Sequence, residues 1–226
     1  MALILSIDTS TTVCSIALHN DGTLLSNQSF HITQSHSKLL SIAIDSLIEY
    51  TGYHPSDLNG IALSKGPGSY TGLRIGTSTA KGLCYALDVP LIAINTLEAM
   101  ALQVSKFFSE GYLLCPMIDA RRMEVYTTLV NHKGNVLKET TPEIIDQDSF
   151  KEALEKYKVV FFGNGAAKCA SVIEHPNATF LKEITPDATS VGLLGYEKYN
   201  RQEFEDVAYF EPFYLKEFMA TKPKNG

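Results

Sequence analysis

The sequence predicts an α/β protein of two lobes, each a mixed sheet with flanking helices. Three observations carry that expectation. The chain opens with an apolar run, Ala2 to Ile7, that ends at Asp8 and a polar turn, then returns as a second apolar stretch. Such an unbroken run reads as a central strand buried on both faces. A second strand–turn–strand–turn–strand unit starts at Tyr112, with Asp119-Ala120-Arg121-Arg122 as its first corner. Each unit is followed by helix-period segments joined to short apolar strands, the alternation expected where helices cover a sheet.

Taken in order, Asp8-Thr9-Ser10-Thr11-Thr12 is a tight turn and Val13 to Leu18 a strand. His19-Asn20-Asp21-Gly22 is a hairpin signal, leading to a third strand over Thr23 to Phe30. Ser35 to Tyr50 reads as a helix, capped by Ser35 or Ser37 and closed by Gly52. Leu39, Leu40, Ala43, Ile44, Leu47 and Ile48 form its apolar stripe, which Ile42 widens. Gly60 to Leu63 is a strand, Gly66-Pro67-Gly68 a turn, and Gly72 opens a helix running to Tyr85. Leu91 to Ile94 is a fifth strand. The order β-β-β-α-β-α-β fits the first lobe of the actin-like, sugar kinase and Hsp70 ATPase architecture, in which the first hairpin turn holds phosphate. Thr96 caps a helix to about Phe107, and strands follow at Tyr112 to Ile118, Glu124 to Val130 and Val136 to Thr140. A short helix at Phe150 to Tyr157, a strand at Val159 to Phe162, a helix after Gly163-Asn164-Gly165 and a final helix at Thr189 to Phe204 complete the pattern. A boundary near residue 100 gives lobes of 1–100 and 101–226, with the final helix free to pack back on the first lobe and 221–226 disordered.

Composition narrows the function classes. With 45% hydrophobic residues in 226, the chain folds around a core. Its net charge of −6 and lack of a basic run make it a poor autonomous RNA binder. No basic residue precedes the first apolar run and no stretch of ~18 apolar residues occurs, so a cytoplasmic protein without membrane contact is expected. Cys14, Cys84, Cys115 and Cys169 lack Cys-x-x-Cys spacing and read as reduced packing residues.

The chemistry-bearing residues form few constellations. Strand, glycine-rich turn and helix at Ser64 to Tyr85 have the layout of an anion-binding corner, without the Gly-Lys-Ser/Thr of a Walker A loop. Gly72, Gly76 and Gly82 inside one helix each cost about 1 kcal/mol against alanine. Close approach of another backbone would explain them, either from within the chain or from a second one. Asp8 with Thr9, Ser10 and Thr11 is a candidate phosphate or Mg2+ corner, or simply a capped turn. Gly163 and Gly165 are candidates for adenosine contact, although Lys168 stands where a dinucleotide fingerprint needs glycine. Asp119, Arg121, Arg122 and Glu124 read as a structural ion-pair corner. His31 and His36, five apart, diverge on a helix and read as solvated loop residues rather than a metal pair.

Ile7-Asp8-Thr9-Ser10, the run Lys65 to Gly76, Ile118 to Tyr126, and Pro212-Phe213-Tyr214-Leu215 together resemble the bacterial TsaB family, also called YeaZ, from residue 2 to about 216. The resemblance implies an actin-like fold and an accessory, non-catalytic role: partnership with the TsaD enzyme in making N6-threonylcarbamoyladenosine at tRNA position 37. It implies pairing, with TsaD or with a second copy, through the first helix (Leu39, Leu40, Ile42, Ala43, Leu47) and the glycine-rich one (Gly72, Leu73, Gly76, Thr79, Ala80, Leu83). A TsaE-type ATPase and tRNA would be met only through the complex. The chain itself requires no cofactor on this reading, with ATP or ADP and Mg2+ left to the complex. The rival expectation is an actin-like-fold ATPase or kinase acting alone through Asp8 and the glycine loops.

Overall fold

The computed structural model describes residues 2–32 and 36–216. β1 (Leu3–Asp8), β2 (Cys14–Asn20) and β3 (Thr23–Phe30) form an antiparallel meander, followed by α1 (His36–Tyr50). β4 (Gly60–Gly66) then pairs parallel with β1, and α2 (Tyr70–Leu87) crosses to β5 (Leu91–Asn95), parallel with β4. The resulting sheet has the order β3-β2-β1-β4-β5. After α3 (Thr96–Ser105) the pattern repeats. β6 (Tyr112–Asp119), β7 (Glu124–Asn131) and β8 (Val136–Ile144) make a second meander. α4 (Lys151–Lys156), β9 (Lys158–Phe162), α5 (Ala166–Cys169) and β10 (Ala178–Phe180) complete a sheet of order β8-β7-β6-β9-β10, and α6 (Ala188–Asn200) ends the regular elements.

Strand alternation sets the layers. Leu3, Leu5 and Ile7 of β1 face α1 and α2, where Leu40, Leu47, Ala80 and Cys84 cover them. Ala2 and Ile4 face the other way and pack on Val191 of α6. In the second sheet Leu113, Cys115 and Met117 face Leu154 and Cys169 of α4 and α5, while Leu114 and Ile118 face Leu97, Met100 and Val104 of α3. α3 and α6 touch each other between the sheets. α6, although it follows the second sheet in sequence, therefore covers the first. Its Gly192 allows this: a Cβ there would lie 2.2 Å from His19 Nδ1 and 2.7 Å from Ser6 Oγ.

Several elements differ from the sequence reading. β8 continues to Ile144, four residues beyond the expected end. The helix after Gly165 is a single turn, and β10 was not anticipated, since three residues carry no readable period. α3 is capped by Asn95, whose side chain accepts from Leu97 N and Glu98 N; Thr96 is already helical. α6 begins at Ala188 behind an Asp187 cap and stops at Asn200 rather than Phe204. His36 is not a solvated loop residue: it is the buried first residue of α1, with Nε2 3.0 Å from Thr11 O. The Ser35 cap and the 221–226 tail lie outside the described residues. Among the described residues no helix is long and apolar enough to cross a membrane.

Candidate functional site

The β1–β2 turn and the start of α2 form one joint. Ser69 caps α2 with a side chain accepting from Gly72 N, while its own N–H donates to Ser10 O at 2.6 Å. Thr9 Oγ1 donates to Gly72 O at 2.8 Å. Two helix–turn approaches are so close that only glycine fits. A Cβ on Gly72 would sit 2.0 Å from Thr9 O, and one on Gly76 2.3 Å from Thr9 Oγ1. The backbone that the glycine-rich helix admits is therefore the chain's own turn. The idea that Gly72 and Gly76 open α2 to a second chain is corrected on this geometry.

Asp8 lies at the centre of the joint, 1% exposed. Its Oδ1 accepts from Ser10 N at 2.9 Å and Ser10 Oγ at 2.7 Å, while Oδ2 has no hydrogen-bond partner among the described residues. Burial pushes its pKa up to about 6, against a smaller opposing effect of the Ser10 and Ser64 hydroxyls. Thr9, Ser10 and Thr11 are likewise buried, and Thr11 Oγ1 accepts from Val13 N. The Thr9 hydroxyl and the Ser10 N–H and hydroxyl are thus committed inside the chain, which folds this corner as a joint.

The residues expected to pair with a partner divide into two sets. Leu40, Ala43, Leu47, Gly72, Leu73, Gly76 and Ala80 are buried within the chain. Leu39, Thr79 and Leu83 are partly exposed, and Ile42 stands 66% exposed on α1. Thr79 also lines, with Ser37, Tyr70, Arg74, Ile75 and Ser78, a groove of about 460 Å3 between the starts of α1 and α2.

In the second sheet the corresponding corner is open. Asp119 is exposed; its N–H donates to Asn164 Oδ1 at 2.9 Å, and its carboxylate pairs with Lys168. Lys168 Nζ also donates to Arg122 O and Glu124 O, both at 2.7 Å. Gly163 and Gly165 press on the strand ends: Cβ atoms there would meet Met117 O at 2.3 Å and Val125 Cγ1 at 2.9 Å. These two glycines and Lys168 thus hold the β6–β7 corner. The departure of Lys168 from the glycine fingerprint was the sequence signal for that role. Sequence reasoning met Pro212 to Leu215 only as part of the family resemblance and missed its contacts: Phe213 N donates to Lys65 O at 2.7 Å, and the Tyr214 ring packs tilted against Tyr70, centroids 5.0 Å apart.

Two sheets of repeated topology, with helices between and outside them, define a protein of the actin-like ATPase fold class. The activator of 2-hydroxyisocaproyl-CoA dehydratase from Clostridium difficile, solved with ADPNP, shares that fold at a TM-score of 0.51 and 11% identity, over 91% of this chain and 98% of its own. YeaZ from Pseudomonas aeruginosa superimposes with a TM-score of 0.81 at 25% identity, over 95% of this chain and 100% of that one. The Bacillus subtilis tRNA threonylcarbamoyladenosine biosynthesis protein TsaB is 34% identical, over 94% of this chain and 93% of its own length. A family profile described as "TsaD: tRNA N6-adenosine threonylcarbamoyltransferase" matches residues 24–224. The chain belongs to the TsaB family, also called YeaZ, within the broader group that the TsaD profile describes.

Proposed function

We propose that this chain is a non-catalytic partner of a TsaD-type enzyme in forming N6-threonylcarbamoyladenosine at tRNA position 37. The observation that carries the reading is the near full-length match to a relative named for tRNA threonylcarbamoyladenosine biosynthesis. Two features of the chain support it. The candidate acid, Asp8, is sealed in a joint where the Ser10 N–H and hydroxyl already donate to its carboxylate. And Ile42 stands exposed on α1, an apolar side chain suited to a helix-on-helix contact with TsaD or a second copy. A TsaE-type ATPase and the tRNA would then join through the assembly, in the cytoplasm, with any ATP or ADP and Mg2+ bound there.

The test is co-elution of the chain with a TsaD-type enzyme. Ile42→Glu should abolish it with an unchanged circular dichroism spectrum. The chain alone should show neither ATP hydrolysis nor threonylcarbamoyl transfer. Hydrolysis by the isolated chain that disappears in Asp8→Ala would overturn the reading in favour of an actin-like ATPase.

A further inference from the structure

The chain is acidic overall, yet the fold gathers cations from distant parts of the sequence at one place. The β6–β7 corner carries Arg121 and Arg122, both exposed and both in the left-handed region, at φ 70° and 45°. Neither guanidinium has an ion-pair or hydrogen-bond partner among the described residues. The acids next to them are already neutralised: Asp119 by Lys168, and Glu124 by Lys216. Lys216 also lies 6.0 Å from the Tyr126 ring. The segment that delivers Lys216 places Tyr214, two residues earlier, against Tyr70 and Arg74. Two residues of extended chain span at most ~7 Å, so these cations and tyrosines share one continuous surface.

We propose that this surface, centred on Arg121 and Arg122, holds the phosphodiester backbone of an RNA when the chain is in its assembly. The inference rests on the function proposed above, which makes RNA the available polyanion. Guanidinium forks match phosphate oxygens in pairs, and unstacked bases pack on tyrosine rings, so the side-chain chemistry fits RNA. Lys168 fixes the corner from inside through the Arg122 and Glu124 carbonyls, which keeps both arginines pointed outward at little ordering cost on binding. The paired acids and the net charge of −6 keep the isolated chain a weak binder, so the contact operates only once a partner supplies the rest of the site.

The experiment measures unmodified tRNA binding by fluorescence anisotropy, from ~0.05 to ~0.2 M salt, for the full chain mixed with a TsaD-type enzyme. Arg121→Gln/Arg122→Gln should weaken binding roughly tenfold or more and flatten the log–log salt slope by about 1 per arginine removed. Arg121→Lys/Arg122→Lys should restore most of the slope, and co-elution with the enzyme should be unchanged in both variants. An unaltered slope and affinity in an intact assembly overturns the proposal. So does loss of co-elution in the Gln variant, which would assign the arginines to an acidic protein surface instead. If the wild-type chain does not assemble with the enzyme, the functional reading fails first; the arginine contact then stands only if the same slope difference appears for the chain alone at low salt.

Discussion

The two sheets have the same strand order and directions, but their first corners are built in opposite ways. At β1–β2, Asp8, Thr9, Ser10 and Thr11 are sealed under an eighteen-residue helix. At β6–β7, Asp119, Arg121 and Arg122 face solvent over a helix of four residues. The difference follows from what comes after the parallel strand. β4 feeds a long helix whose glycines let it lie directly on the turn, with Thr9 bonding the backbone of Gly72. β9 feeds one turn of helix that reaches the corner with a single lysine. One topology thus yields a rigid internal joint in one lobe and a charged external corner in the other. A duplicated fold can divide stability and contact between its copies in this way.

The strongest way to break the comparison is to put a side chain into the sealed joint. Gly72→Ala drives a Cβ to within 2.0 Å of the Thr9 carbonyl, where only backbone can yield. A loss above ~4 kcal/mol is expected, seen as collapse of the thermal transition or insoluble protein. A variant melting within a few degrees of wild type would show that the joint is slack.

Acidity should separate two buried groups of the first sheet. Asp8 has its pKa raised from 3.8 to about 6, so the stability it contributes is full below pH 3.8 and lost as pH rises through 6. His19, fully buried with no partner on either ring nitrogen among the described residues, has its pKa lowered from 6.5 to about 4 by burial. Its contribution is full above pH 6.5 and lost as pH falls through 4. Each change is of order 3 kcal/mol, and between pH 4 and 6 they oppose each other. Asp8→Asn should therefore raise stability at pH 7 and expose a steep loss between pH 6.5 and 4. A urea-unfolding series against pH that stays flat in Asp8→Asn would refute this.

At the open corner the same kind of change should do less. Lys168→Met removes three bonds from a half-exposed turn, and a loss of about 1–2 kcal/mol is expected, a shift of a few degrees in melting temperature. Smallest of all is Gly82→Ala on the outer face of α2, where nothing lies within 4 Å of the new Cβ. It should stabilise the chain by up to ~1 kcal/mol, since the helix no longer bears the conformational entropy of glycine. A fall in melting temperature would mean that this face is already covered.

The long periodic elements were legible in the sequence. The α1 stripe without its Ile42 extension, the Asp21-Gly22 hairpin with both residues at positive φ, and the two meanders, β8 running four residues longer, stand where the pattern placed them. The repeat of strand order between the sheets was also readable, as two strand–turn–strand units. The direction of the glycine face on α2 was not. Glycine spacing reports that something comes close but not what it is, and Thr9 lies more than sixty residues away. The gathering of Arg74 and Lys216 near Arg121 and Arg122 was equally invisible, because three separate segments carry them and only folding joins them.

The placement of α6 has a consequence for how the protein is made. The face of the first sheet formed by Ala2, Ile4, Ala62 and Ile92 is closed by a helix spanning residues 188–200. As the chain leaves the ribosome, residues 2–95 can pair all five strands and dock α1 and α2, yet one apolar face stays open until the whole second sheet has been translated. The first lobe is thus the earlier to form and the later to be finished, and during that interval its bare face is the surface a chaperone would find.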